Sequence, residues 1–225
     1  MRNAEIIING IFVFGGWGIN PEILKPVFGE DAQYIDINRI MPKLFDSSQL
    51  KANWAQIVIS ECQLLNKKPQ IIAGWSTGAM LAYAVSHILF PQKLILLSAT
   101  PCFCRKNGYR FGVRQSVLDQ MISTLEQDQT RVLRSFYEQC GLQYDQSTAP
   151  DYTFEQLSCG LLFLKQADLR PLAPTNIKPL FFHGRDDQII PETASIYFCS
   201  QTEGIHNSFS GQHAFFTERN RLCLE

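Results

Sequence analysis

The stretch Gln70-Ile71-Ile72-Ala73-Gly74-Trp75-Ser76-Thr77-Gly78-Ala79-Met80-Leu81-Ala82 decides how this chain folds. Residues 70–73 are a short apolar run bounded by turn residues, which reads as a buried strand. Residues 79–89 read as an apolar helix beginning directly after it. The join is Gly-x-Ser-x-Gly. A turn this tight forces the residues two before and two after the serine into contact, so both must be small, and Gly74 and Gly78 are. Such a turn lifts a serine hydroxyl above the strand end. The helix start places backbone N–H groups where an oxyanion can form. Ser76 is therefore the candidate nucleophile.

The same rhythm extends to either side. Ile11–Phe14 reads as a buried strand ending at Gly15-Gly16-Trp17-Gly18, and residues 33–37 as a weaker one. Residues 53–65 have helical spacing through Trp54, Ile57, Val58 and Leu65. Residues 93–98, 179–183 and 205–209 read as further strands. Strands alternating with helices predict a mostly parallel sheet covered on both faces. Its active site lies at the carboxyl ends of the strands. Between residues 98 and 172 the pattern becomes helical, over 113–125, 130–140 and 153–166. We read residues 101–170 as a helical cap inserted into a single domain.

A serine hydroxyl needs a base. His213, in Gly211-Gln212-His213-Ala214-Phe215, falls in a loop after the last strand. It is preferred to His206, whose side chain is fixed within a strand. His87 sits inside a helix, and His183 ends a strand and reads as structural or as lining the cleft. The acid should follow the strand at 179–183, where Gly184-Arg185-Asp186-Asp187 offers two carboxylates. Asp187 has Gly-x-x-Asp spacing and is preferred; Asp186 is the runner-up and reads rather as a solvent-facing partner of Arg185. The backbone N–H groups of Trp17 and Thr77 are the candidate oxyanion donors.

Composition narrows the field. The net charge of −1 gives no global field that favours nucleic acid or an acidic membrane surface. Seven scattered cysteines, an odd number, read as reduced thiols in a cytoplasmic protein. Cys102 and Cys104 lack the second pair that a structural metal site needs and read as packing residues. The runs Ile6-Ile7-Ile8 and Ile11–Phe14 are too short for a signal peptide or a membrane span.

Together, the order Ser76, Asp187, His213 and the elbow's setting define an α/β-hydrolase fold. Several runs resemble the biotin-pathway BioH-like esterases, the pimeloyl-[acyl-carrier protein] methyl ester esterases. They are Gly16-Trp17-Gly18-Ile19-Asn20, Gly74 to Gly78, Ser98-Ala99-Thr100-Pro101-Cys102-Phe103, Leu164-Lys165-Gln166-Ala167-Asp168-Leu169-Arg170 and His213-Ala214-Phe215. The resemblance spans most of the chain. It implies a Ser76–His213–Asp187 triad that cleaves a methyl ester through an acyl-enzyme, with Trp17 and Thr77 at the carbonyl and with no cofactor or metal. It also implies that Arg131 and Arg134 meet acyl-carrier protein, that Phe136, Tyr137 and Cys140 line the acyl tunnel, and that the protein acts as a monomer. Two departures stand out. Gly15 replaces the family's usual His before Gly-Trp-Gly, and the cap is shorter. The alternatives are a general short-chain carboxylesterase or thioesterase with no carrier preference, and a non-catalytic binding protein of the same fold.

Overall fold

A computed structural model describes residues 10–65 and 67–217; the Ile6-Ile7-Ile8 run and Cys223 lie outside the described residues. In chain order the strands are β1 (Ile11–Phe14), β2 (Gln33–Ile35), β3 (Phe45–Asp46), β4 (Gln49–Leu50), β5 (Ile71–Trp75), β6 (Lys93–Leu97), β7 (Leu180–Gly184) and β8 (Ile205–Phe209). The α-helices are α1 (Lys25–Phe28), α2 (Trp54–Glu61), α3 (Thr77–Leu89), α4 (Gln115–Gln127), α5 (Gln129–Cys140), α6 (Phe154–Gln166) and α7 (Glu192–Gln201). Among the described residues six strands form one sheet in the order β2-β1-β5-β6-β7-β8, with neighbouring strands paired in parallel. β3 and β4 form a separate small hairpin.

Successive side chains on a strand point to opposite faces, and the apolar residues divide accordingly. Phe12, Phe14, Ile72, Leu94, Leu96 and Phe181 join a cluster on one face. Val13, Ala73, Trp75, Ile95, Leu97 and Phe182 join a second cluster on the other. Burial on both faces explains why the central strands read as continuous apolar runs. The parallel arrangement brings the ends of β1, β5, β7 and β8 to one edge, from which Trp17, Ser76, Asp187 and His213 project. Over that edge lie α4, α5 and α6, with α4 packed against both others.

Several boundaries differ from the sequence reading, each for a local reason. The strand expected over 33–37 stops at Ile35, because the Asp36 side chain accepts from Asn38 N and starts a 3-10 turn over Ile37–Arg39. The helix expected to reach residue 65 ends at Glu61; Gln63 adopts φ 54° and Leu65 is exposed. At the elbow the strand runs on to Trp75 and the helix begins at Thr77, so a single residue, Ser76, makes the turn. Helix α7 had no counterpart in the sequence reading. It carries no apolar stripe, since Ser195 is buried while Ile196 is half exposed.

Two glycines are dictated by close approach. A Cβ on Gly78 would collide with the backbone carbonyls of Gly15 and Phe14, so α3 can start against β1 only with glycine there. Gly160, in the interior of α6, lies beneath the Trp17 indole, where a Cβ would overlap the ring. Glycine in a helix interior costs about 1 kcal/mol relative to alanine, and here it makes room for Trp17. Gly78→Ala should therefore destabilise the protein by at least ~2 kcal/mol, because the clash is with backbone that cannot rotate away; urea denaturation followed by circular dichroism measures it.

Candidate active site

Ser76 occupies φ 57°, ψ −121°, a region that L-residues seldom adopt. The strain is held by hydrogen bonds on either side: Ser76 N donates to Leu97 O (2.9 Å) and Ala79 N donates to Ser76 O (3.0 Å). The residue is nearly buried at the floor of a cavity of about 370 Å³.

Asp187 and His213, drawn from separate loops, meet there. His213 Nδ1 lies 2.7 Å from Asp187 Oδ2, and both side chains are fully buried. The other carboxylate oxygen, Oδ1, accepts from Ile189 N (2.8 Å) and Ile190 N (2.9 Å). His183 Nε2 lies 2.8 Å from Ile190 O and 3.2 Å from Asp187 Oδ2; both neighbours are acceptors, so this nitrogen carries a proton. Burial disfavours the charged Asp187 carboxylate. The positive charge available on His213 and the hydrogen bonds from His183 and His213 outweigh it and hold Asp187 well below the usual carboxylate range. An ionised Asp187 fixes the proton of His213 on Nδ1 and leaves Nε2 as the free base. Nε2 is buried and makes no hydrogen bond among the described residues, to Ser76 or to any other group. In unliganded sites such bonds are often open and close only around substrate.

Of the alternatives, Asp186 is exposed; its Oδ2 accepts from Gly211 N (3.3 Å), which steadies the loop leading to His213. His206 stacks on His183 with ring centroids 6.4 Å apart, and its buried Nε2 makes no hydrogen bond among the described residues. His87 spans Tyr83 O and Ala173 O, both at 2.8 Å. Cys102 Sγ donates to Cys104 O. Among the described residues no group of His, Cys, Asp and Glu is arranged to hold a metal, and no helix is long and apolar enough to cross a membrane.

Four groups brace the site; of these, sequence reasoning gave only His183 a structural or cleft-lining reading and assigned no bracing role to Trp75, Ser98 or Asn38. The carbonyl of His213 accepts from Trp75 Nε1 and from Ser98 Oγ, both at 3.0 Å. Ser98, fully buried at φ 44°, ends β6 as Ser76 ends β5. His183 supports the acid loop. Asn38, fully buried, accepts from Gly18 N at Oδ1 (2.8 Å) and donates from Nδ2 to Gly16 O (3.2 Å), so it grips the loop on both sides of Trp17. That loop carries Gly15 where the resembling family has His. Positive φ at a strand-end serine is the nearest signal for Ser98 but is invisible in sequence, and Asn38 follows a weak strand with no pattern to mark it.

The cavity walls are mainly apolar, including Phe103, Met121, Val132, Phe136 and Leu164, with Trp17, Ser76 and Thr77 at its inner end. The Thr77 hydroxyl is buried and has no hydrogen-bond partner among the described residues. Arg131 is shared between this cavity and an adjoining polar groove that contains Arg134 together with Asp128 and Glu138. Two expectations need correction. Tyr137 and Cys140 do not line the cavity. On α5 the cavity face is Arg131, Val132, Ser135, Phe136 and Gln139, while Leu133, Tyr137 and Cys140 turn toward the body of the protein. Tyr137 instead donates from its hydroxyl to Gly18 O (3.2 Å), and Cys140 O accepts from Ala214 N (3.0 Å). Burial pushes the Cys140 thiol up, and the neighbouring Asp187 charge pushes it further.

A strand–serine–helix elbow at the carboxyl edge of a parallel sheet, with an Asp–His pair from the last two strand loops, defines an α/β-hydrolase. Comparison with known proteins bears this out. The chain is 30% identical over 190 residues to the AB hydrolase superfamily protein YisY of Bacillus subtilis, covering 76% of this chain and 69% of that protein, and it belongs to the AB hydrolase superfamily. It is 26% identical over 203 residues to the pimeloyl-[acyl-carrier protein] methyl ester esterase of Wigglesworthia glossinidia brevipalpis, covering 82% of this chain and 76% of the relative. Its fold matches an esterase from Exiguobacterium antarcticum with a TM-score of 0.72 at 21% identity, over 92% of this chain and 86% of that one. No protein-family model matches the chain.

The geometry separates the two acidic candidates. Asp187→Asn should lower kcat for a p-nitrophenyl ester by about 10⁴-fold, through the wrong histidine tautomer, whereas Asp186→Asn should leave kcat within a few-fold of wild type; steady-state kinetics on the two purified variants decides between them.

Proposed function

We propose that this protein is a serine carboxylesterase that hydrolyses the methyl ester of a pimeloyl chain borne by acyl-carrier protein. The observation that carries the reading is the buried Asp187–His213 pair behind Ser76, which sits at the floor of an apolar cavity with Arg131 on its wall. The similarity to pimeloyl-[acyl-carrier protein] methyl ester esterases supports the choice of substrate.

In this reading His213 Nε2 takes the Ser76 proton as Oγ attacks the ester carbonyl. The amides of Trp17 and Thr77 hold the developing oxyanion. The tetrahedral intermediate expels methanol, which leaves with the proton from His213, and the acyl group remains on Ser76. Water, deprotonated by the same nitrogen, attacks the acyl-enzyme, and collapse of the second intermediate returns the proton to Ser76 and frees the carboxylate. Asp187 stays ionised throughout and stabilises the imidazolium. The apolar walls suit the polymethylene chain, with Phe136 against it. Arg131 and Arg134 meet the acidic carrier or the phosphate of its prosthetic arm. The enzyme then works in the cytoplasm as a monomer, without a cofactor. A general short-chain carboxylesterase or thioesterase would use the same site and lack the carrier dependence.

Two experiments test this reading. Ser76→Ala should abolish ester hydrolysis with the thermal unfolding midpoint preserved; activity retained above background would remove Ser76 from the mechanism. Arg131→Glu should raise KM for the carrier-bound methyl ester about tenfold while leaving a p-nitrophenyl ester unaffected; equal effects on both substrates would favour the general esterase.

A further inference from the structure

The loop Gly16-Trp17-Gly18-Ile19 is held chiefly by side chains, and most of them belong to the cap. Asn38, after β2, takes Gly18 N and Gly16 O. The Tyr137 hydroxyl, from α5, donates to Gly18 O at 3.2 Å. The Tyr152 hydroxyl, just before α6, lies 3.3 Å from Ile19 O and 3.1 Å from Asp36 Oδ1, and the same Asp36 oxygen accepts from Asn38 Nδ2 at 3.1 Å. Trp17 Nε1 donates to Leu157 O of α6 at 2.8 Å. Tyr137, Tyr152 and Asn38 are all buried.

These contacts surround the amide to which the esterase reading assigns half of the oxyanion hole. We propose that Tyr137 and Tyr152 are positioning residues for that amide: the cap sets the oxyanion hole as well as roofing the acyl cavity. The inference rests on the function proposed above and reassigns Tyr137 from tunnel wall to loop brace. The Trp17 amide shares its peptide plane with the Gly16 carbonyl, which accepts from Asn38 Nδ2. Tyr152 steadies that grip through Asp36, whose Oδ1 takes both the Tyr152 hydroxyl and Asn38 Nδ2, and Tyr137 pins the Gly18 carbonyl, one residue beyond Trp17. Burial pushes the Tyr137 phenol up to about 12 and raises Tyr152 further, so both remain protonated donors at neutral pH. Gly18, at φ 66°, and the glycine before Trp17 give the loop little stiffness of its own. Helix α5 also carries Arg131, exposed where the cavity meets the adjoining groove, six residues and about 9 Å along the axis from Tyr137. A partner seated there therefore bears on the helix that holds the loop.

The test uses Tyr137→Phe, Tyr152→Phe and the double variant, which remove hydroxyls and leave ring volume unchanged. Two quantities are read for each: kcat and KM for p-nitrophenyl butyrate, and the inhibition constant of an aryl trifluoromethyl ketone, which forms a tetrahedral oxyanion adduct with the serine. The double variant should lose about tenfold in kcat with KM within twofold, and its inhibition constant should rise by a matching factor; each single variant should lose about threefold. Singles and double that melt like wild type and keep kcat and the inhibition constant overturn the proposal. So does a rise in KM alone, which marks a tunnel wall. Should the double variant not fold, the two single variants decide by the same criteria. A wild-type protein that neither turns over the ester nor binds the ketone would instead overturn the esterase reading on which the proposal rests.

Discussion

A single residue separates a buried strand from a buried helix, and the rest of the site is arranged around that constraint. Ser76 can hold φ 57° only because Gly74 and Gly78 let the chain fold back on itself. Gly78 in turn packs directly against the carbonyls of Phe14 and Gly15 at the end of β1. The elbow and the loop that carries Trp17 are thereby locked to one another: neither can move without opening a backbone contact that no side chain could fill. The proposed nucleophile and one proposed oxyanion donor thus share a rigid frame. Rigidity here matters chemically, since donors fixed before the reaction need no reorganisation when charge develops.

The base and acid are held with similar redundancy. His213 is fixed at its ring by Asp187 and at its carbonyl by Trp75 and Ser98, while Asp187 is gripped by two amides and approached by His183. A buried carboxylate with this many donors remains ionised, which is the condition for keeping the histidine in the tautomer with a free Nε2. The strand ends thus supply a preset electrostatic site, and helices α4, α5 and α6 add most of the apolar wall of the cavity together with part of the bracing of the loop that carries Trp17.

Much of this was legible in the chain because it depends on local backbone constraints. Gly-Trp-Ser-Thr-Gly between an apolar run and an apolar helix could serve few purposes, and the strand positions followed from apolar runs that mark burial on both faces. The order serine, acid, histidine narrowed the choice to Asp186 or Asp187 and to His206 or His213; Gly-x-x-Asp spacing and the loop setting of His213 then preferred the pair that the structure joins by a hydrogen bond. The bracing residues were harder to read. Asn38 and Ser98 act through contacts distant in the chain, and nothing in their own neighbourhoods marks them. Tyr137 and Cys140 were misplaced because resemblance indicated the helix but not its rotation, and a rotation of 100° per residue moves a side chain from the cavity to the body of the protein. Helix α7 was absent from the reading because its buried positions include Ser195 and its exposed ones Ile196, so no periodic stripe formed.

The account turns on an acyl-enzyme at one serine. Rapid mixing of the protein with a p-nitrophenyl ester, acid quench and peptide mass spectrometry measures this directly. The account predicts acyl mass on the peptide containing Ser76, formed in the first turnover and lost as water attacks. Turnover with no adduct on that peptide, or an adduct on a different residue, would contradict it.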